Sequence, residues 1–169
     1  MTHWMSTLSS TPIALNPCTH LVSESGGQSF CLTMPEARPH LSVAQFQGLA
    51  ITFEGWLYNP KELRKELGVD AKTNLATLLL QAYRRWGEDF LLKLEGVFAF
   101  CLWDSHERTF FAARDALGVY PLFYAPGNDT WFFSPSLESL RQHPNISSKV
   151  NRGAVAAHLL NWNKDIHET

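Results

Sequence analysis

The sequence has few cysteines, and none of them is placed for a metal site or a disulfide framework. Among 169 residues there are three, Cys18, Cys31 and Cys101, with no C-x-x-C pair. The seven histidines show no metal-ligand spacing either. An odd cysteine count of this kind disfavours disulfide scaffolds and zinc sites and suits a reducing compartment. We therefore expect no metal, no cofactor and a cytoplasmic location, with Cys101 buried as a small apolar residue.

The sequence also lacks strong charge and long apolar runs. The formal net charge is −2, basic residues are scattered, and no apolar segment approaches the roughly 20 residues that span a membrane. The N-terminal segment has no basic start followed by an apolar block, so we expect no signal peptide. These absences disfavour nucleic acid and membrane as partners. Apolar residues make up 45% and aromatic residues 12%, which predicts a packed core.

Two helices are predicted in the first half of the chain. Pro60 follows Asn59, and Glu62 stands three residues after Asn59, a pattern typical of a capping box that begins a helix over 60–67. A second helix is predicted over about 73–86, because apolar residues recur there at helical spacing. Both helices should therefore have one buried face.

Apolar and aromatic segments separated by turn residues predict the strands. LAITF precedes a glycine, and GVFAFCLWD, RTFFAAR, PLFYA and TWFFS follow one another between residues 96 and 134. We expect the last four to form an antiparallel meander in one sheet of a two-sheet sandwich, with both predicted helices packed on one side. The residues predicted to be buried are Leu75, Leu78, Leu79, Ala82, Trp86, Phe98, Phe100 and Leu102.

The order of these segments resembles the N-terminal glutamine amidotransferase domain of asparagine synthetases. That family runs F-N-G-E-I-Y-N, S-D-T-E opening a helix that ends W-G, L-x-G-x-F-A-F-x-x-W-D, and A-R-D-x-x-G-x-x-P-L-Y-Y. This chain reads FEGWLYN, NLAT, RRWG, LEGVFAFCLWD and ARDALGVYPLFY in the same order. The resemblance implies an α+β fold, a four-layer α-β-β-α sandwich of antiparallel sheets like that of N-terminal-nucleophile hydrolases. It further implies a type 2 glutamine amidotransferase domain over 1–150 and a helix or linker toward a synthetase domain over 151–169.

The resemblance also implies that most of the family's chemistry is missing. In the family an N-terminal Cys attacks the glutamine amide, an Asn side chain and the next glycine's N–H form the oxyanion hole, and an Asp pairs with the substrate ammonium. Here Thr2 follows the initiator Met, Glu54 replaces the Asn, Gly55 is retained, and Leu75 replaces the Asp. Trp56 replaces the Glu after the glycine and is either a core residue or a plug in the former pocket. Glu54, Gly55, Trp56 and Leu75 are thus expected as remnants of a glutamine pocket, with Thr2 as the one candidate nucleophile.

Three functions fit these observations. The first is a scaffold without glutaminase activity, which serves an asparagine-synthetase-like ATP-dependent enzyme that forms amides or lactams. Because the sequence has no S-G-G-x-D-S pyrophosphate loop, we expect the ATP-dependent part to be a fused domain or a separate subunit, and homodimerisation is an alternative assembly. The second is a hydrolase that uses Thr2 as its N-terminal nucleophile. The third is a stand-alone module that binds a ligand or peptide in the former pocket. The motifs favour the first.

Overall fold

The computed structural model describes residues 5–9, 19–25, 28–33, 40–147 and 149–160. The strands are β1 (Met5–Ser9), β2 (Thr19–Ser25), β3 (Gln28–Thr33), β4 (Leu41–Phe46), β5 (Leu49–Leu57), β6 (Gly96–Asp104), β7 (Thr109–Arg114), β8 (Phe123–Gly127) and β9 (Thr130–Ser134). The helices are α1 (Pro60–Leu67), α2 (Leu75–Trp86), a 3₁₀ helix (Gly87–Lys93), α3 (Leu137–Arg141) and α4 (Arg152–Leu159). No helix in the described ranges is long and apolar enough to cross a membrane.

The strands form two antiparallel sheets, and helices cover the outer face of each. One sheet has the order β2-β3-β1-β9-β8 and the other β4-β5-β6-β7. α1 and α2 pack together on the four-stranded sheet, where Leu63 and Leu78 share a buried cluster with Phe100. α3 covers the five-stranded sheet, where Leu140 packs with Phe132. The predicted α-β-β-α sandwich, with both early helices on one side, is confirmed.

Most of the predicted core is buried. Six of the eight residues are buried, and the exceptions are Leu75 and Trp86, which lie half-buried at the two ends of α2. Helix ends lie farthest from the centre of a packed layer, so their side chains are covered on fewer sides. Trp86 is covered in part by Lys93, whose ammonium lies 4.6 Å from the centre of the indole ring.

The prediction of a single meander over 96–134 is wrong. β6 and β7 belong to the four-stranded sheet, whereas β8 and β9 belong to the five-stranded sheet. The chain crosses the sandwich in the connection over 115–122, and β9 then pairs with β1, with Ser6 opposite Phe133. The sequence pattern identified each strand segment but not which strands pair with each other. β1 lies between β3 and β9 in the five-stranded sheet, but its sequence MSTLS has little apolar character, so its pairing with β9 could not be predicted.

The capping box predicted at Asn59 is also wrong. The Asn59 side chain makes no cap hydrogen bond to α1. Its Nδ2 donates to the Lys93 carbonyl at 2.8 Å and its Oδ1 accepts from the Glu95 N–H at 3.2 Å. Asn59 therefore fixes the segment that leads into β6, and it does so through partners more than thirty residues away. At α2, by contrast, Asn74 is a side-chain cap and accepts from the Thr77 N–H at 2.7 Å.

Gly55 allows the backbone of β6 to approach β5 closely. Its φ is +130°, a conformation that residues with a side chain rarely adopt. A Cβ at this position would collide with the Val97 carbonyl oxygen and lie 2.7 Å from the Phe98 Cα. Gly96 faces the same restriction from the other strand, since its Cβ would collide with the Trp56 carbonyl oxygen. The pair of glycines thus fixes how β5 and β6 meet at this end of the sheet.

Asp115 organises the connection that crosses between the sheets. Its carboxylate accepts from the N–H groups of Val119 at 2.9 Å and Tyr120 at 2.7 Å, and its own N–H donates to the Phe98 carbonyl. Burial by itself raises the pKa of the Asp115 carboxyl, but these backbone N–H groups outweigh burial and hold the pKa below its usual value. Each oxygen of the carboxylate thus binds a backbone N–H of the turn, so Asp115 of the ARDALG segment is structural.

Gly55→Ala is expected to lower the free energy of unfolding by about 2–4 kcal/mol, because the new methyl group meets backbone atoms and the φ is strained. Gly68→Ala is the matched control. Gly68 also has a positive φ, of +68°, but no atom lies within 4 Å of its Cβ position. The control should cost about 1 kcal/mol. Urea denaturation measures the free energy of unfolding of both variants. Equal losses would contradict the close contact between Gly55 and the backbone of β6.

Asp115→Asn is expected to lower the free energy of unfolding at pH 7 by about 2–3 kcal/mol, since one acceptor oxygen becomes a donor that faces an N–H group. Because the folded-state pKa is depressed, this contribution is complete above the unfolded value of about 3.9 and is lost as the pH falls through the folded value. The difference between wild type and variant should therefore shrink below about pH 4. Urea denaturation at a series of pH values tests this, with exposed Asp70→Asn as control. A difference that is independent of pH would refute it.

Candidate functional site

Glu54 lies near the end of β5, opposite Leu41 of β4 and Ala99 of β6. Only 4% of its surface is exposed. Side chains alternate along a strand, and Ala50 of the same strand packs in the cluster between the two sheets. Glu54 is therefore on the face of β5 that points between the sheets. The residue that the motif resemblance aligns with the family's oxyanion Asn thus carries a carboxyl group buried inside the sandwich.

The N–H of Gly55 already has a hydrogen-bond acceptor. It donates to the carbonyl oxygen of His40 at 3.1 Å, one rung beyond the pairing of Leu41 with Glu54. An oxyanion hole needs N–H groups directed at the place where the substrate oxygen develops charge. In this structure the retained glycine directs its N–H to the neighbouring strand β4 instead.

Trp56 is not a core residue. Its side chain is 48% exposed, and its ring packs against the imidazole of His40 at a tilt of 43°, with 4.2 Å between ring centroids. The same residue, His40, thus accepts from Gly55 and supports Trp56. Sequence reasoning missed His40, which belongs to no motif and lies fourteen residues before Glu54. The core interpretation of Trp56 is excluded, and the plug interpretation is taken up below.

Leu75 is the first residue of α2 and is half-buried. It packs against the apolar cluster between α2 and the four-stranded sheet. The cap function beside it is kept by Asn74. Leu75, which the motif resemblance aligns with an acidic residue of the family, therefore contributes packing at the start of α2.

The described residues contain no exposed thiol. Cys31 and Cys101 are both buried and unpaired with each other. Burial raises the pKa of the Cys101 thiol far above its usual value, so it stays protonated and is not a nucleophile at neutral pH. No group of His, Cys, Asp and Glu side chains in the described part of the chain could hold a metal ion. Thr2, the candidate nucleophile, lies outside the described residues.

Comparison with known proteins connects this fold to one family. A family model described as "Glutamine amidotransferase domain" matches residues 36–169. Asparagine synthetase [glutamine-hydrolyzing] 3 of Bacillus subtilis is 39% identical over 110 residues, which are 63% of this chain and 18% of that protein. A putative asparagine synthetase [glutamine-hydrolyzing] 2 of Methanocaldococcus jannaschii is 30% identical over 110 residues. These residues are 63% of this chain and 21% of that protein. The chain thus spans about a fifth of the length of these relatives.

The solved structures add evidence on the fold alone. The glutamine phosphoribosylpyrophosphate amidotransferase of B. subtilis, solved with ADP and GMP, matches 79% of this chain and 36% of its own, with a TM-score of 0.52 and 17% identity. This likeness confirms the sandwich of N-terminal-nucleophile hydrolases. Because the family model matches well over half of the residues, this chain belongs to the glutamine amidotransferase domain family, and the relatives most similar in sequence that are named above are asparagine synthetases.

Proposed function

We propose that this amidotransferase domain no longer hydrolyses glutamine and serves as a scaffold for an ATP-dependent enzyme that forms amides or lactams. The observation that carries the proposal is the pairing of the Gly55 N–H with the His40 carbonyl, next to the buried Glu54. Loss of one oxyanion donor typically lowers the rate about 10²–10³-fold. A carboxyl group in place of the Asn amide offers no N–H group to the developing oxyanion.

Substrate binding is weakened as well. In the family an acidic side chain pairs with the substrate ammonium, and Leu75 at that position offers no charge. A hydrogen bond to a charged group contributes roughly 1.5–3 kcal/mol. Trp56, packed against His40, is proposed to plug the former pocket at the place where the family carries a second acidic residue. Together these changes remove the oxyanion hole and the ammonium partner while the residues that shape the strands are kept.

A scaffold needs a surface for its partner, and α4 offers one. Val155 and Leu159 stand four residues apart on this helix, so they lie on one side of it, and Leu159 is 78% exposed. Val150 and Leu160, at either end of the helix, are exposed too. Exposed apolar side chains grouped in this way are typical of an interaction site. We assign this α4 surface to the contact with the ATP-dependent domain or subunit.

The purified chain is expected to release no ammonia from glutamine, because the Gly55 N–H is used within the sheet, Glu54 offers no donor to an oxyanion and Leu75 offers no partner to the ammonium group. The assay uses protein whose N-terminus has been mapped by mass spectrometry, and a glutamine-hydrolysing asparagine synthetase from B. subtilis as the positive control. Glu54→Asn, which restores the family residue, should remain inactive because the other losses persist.

Ammonia release that disappears in Thr2→Ala would overturn the proposal and make the chain an N-terminal threonine hydrolase. Activity that appears in Glu54→Asn alone would show that the remaining site is intact, and would equally contradict the account. Both results are read from the same coupled assay of ammonia.

The double variant Val155→Asp, Leu159→Asp is expected to lose affinity for the asparagine-synthetase-like partner, because two charges would be placed in an apolar contact. Co-purification of the co-expressed proteins measures the effect. Lys61→Glu on α1 changes the net charge by the same amount and should retain the partner. A wild-type chain that binds no such partner, or a double variant that binds as well as wild type, would refute the assignment of α4.

A further inference from the structure

A second cleft opens at the other end of β5 and β6, away from Glu54. It has a volume of about 340 Å³ and lies between the turn after β4, the C-terminal half of α2 and the end of β6. Leu49 pairs with Asp104 at this end of the two strands, whereas Gly55 pairs with Phe98 at the other. Six strand residues separate the two ends, a distance of about 20 Å. The cleft is therefore separate from the remnant of the glutamine pocket.

One side of the cleft is cationic. Arg84 lines it, and its guanidinium lies 5.3 Å from the centre of the Phe46 ring. A cation–π contact holds a guanidinium in place without neutralising its charge. No carboxylate lies within ion-pair distance of Arg84 among the residues that the structure describes. His106 lines the same cleft and donates from Nε2 to the Gln47 carbonyl at 2.9 Å, which leaves its Nδ1 as an acceptor for a ligand N–H.

The other side of the cleft is formed by a buried carboxylate. Asp104 Oδ1 accepts from the N–H groups of His106 and Glu107, and its Oδ2 accepts from the Tyr83 hydroxyl at 3.1 Å. A carboxylate has about four acceptor positions, so one position on Oδ2 remains. Burial, together with the charge of Asp104, raises the pKa of Tyr83 to about 12, so its hydroxyl stays protonated and donates. Asp104 is therefore held rigidly, with capacity for one further donor.

We propose that this cleft binds a free α-amino acid, with the α-carboxylate on Arg84 and the α-ammonium on Asp104 and on Nδ1 of His106. A simple anion would be repelled by the buried carboxylate, and a simple cation by the guanidinium, whereas a zwitterion satisfies both sides. The volume of the cleft accommodates a small amino acid. The inference does not depend on the loss of glutaminase activity, since none of these residues belongs to that site.

Saturation-transfer NMR on the full chain tests the proposal, with each free L-amino acid as the probe. At least one should show transfer, and Arg84→Gln should weaken its binding about tenfold or more. Arg85→Gln is the matched control, because Arg85 is the next residue on α2, exposed, and does not line the cleft. Trp56→Ala should leave binding unchanged, which separates this cleft from the remnant pocket. Methylamine and acetate, added singly, should both fail to bind.

Three outcomes would overturn the proposal. The first is that no amino acid binds to the wild-type chain. The second is that Arg84→Gln and Arg85→Gln bind alike, or that Trp56→Ala abolishes binding, since the ligand would then lie elsewhere. The third is that acetate binds as tightly as the amino acids, because the cleft would then be a plain anion site. The circular dichroism spectrum of Arg84→Gln must match that of wild type. Tyr83→Phe is a second variant: it keeps the aromatic ring but removes the hydrogen bond to Asp104, and it should also weaken binding of the amino acid.

Discussion

The approach of β6 to Gly55 is the constraint on which the rest of this structure depends. Because neither Gly55 nor Gly96 has a Cβ, the two strands meet without a gap at this end of the sheet. This strand pair contributes to two apolar clusters, with Phe53 and Phe100 under α1 and α2 and Cys101 between the sheets. On its other side β5 is held by β4, whose extension supplies the carbonyl that takes the Gly55 N–H. The contact between β5 and the residue before β4 therefore uses the N–H of Gly55.

The residues that support the fold match the family motifs better than the residues at the positions of the family's glutamine site. Asn74 still caps α2, and Asp115 still holds the turn between the sheets. Glu54, Trp56 and Leu75 differ from the family motifs that the sequence resembles. Glu54 is buried, Trp56 packs against His40, and Leu75 joins the apolar cluster under α2.

The sequence predicted those features that depend on neighbouring residues. Helical spacing identified α2, and the apolar segment GVFAFCLWD identified β6, because both patterns lie within one element. The failures involve partners far apart in the chain. Asn59 binds the segment at 93–95 rather than its own helix, and β9 pairs with β1, which has little apolar pattern. The role of His40 and the opposed charges of Arg84 and Asp104 also depend on tertiary contacts, which no local pattern records.

The Gly55 N–H donates to the His40 carbonyl and is therefore not available to a substrate oxygen. Amide hydrogen exchange of the chain labelled with ¹⁵N-glycine tests it most directly, with and without glutamine. The Gly55 amide should exchange as slowly as the central amides of β5 and β6, and addition of glutamine should not shift its resonance. Fast exchange at Gly55, together with a shift of its resonance when glutamine is added, would contradict the account.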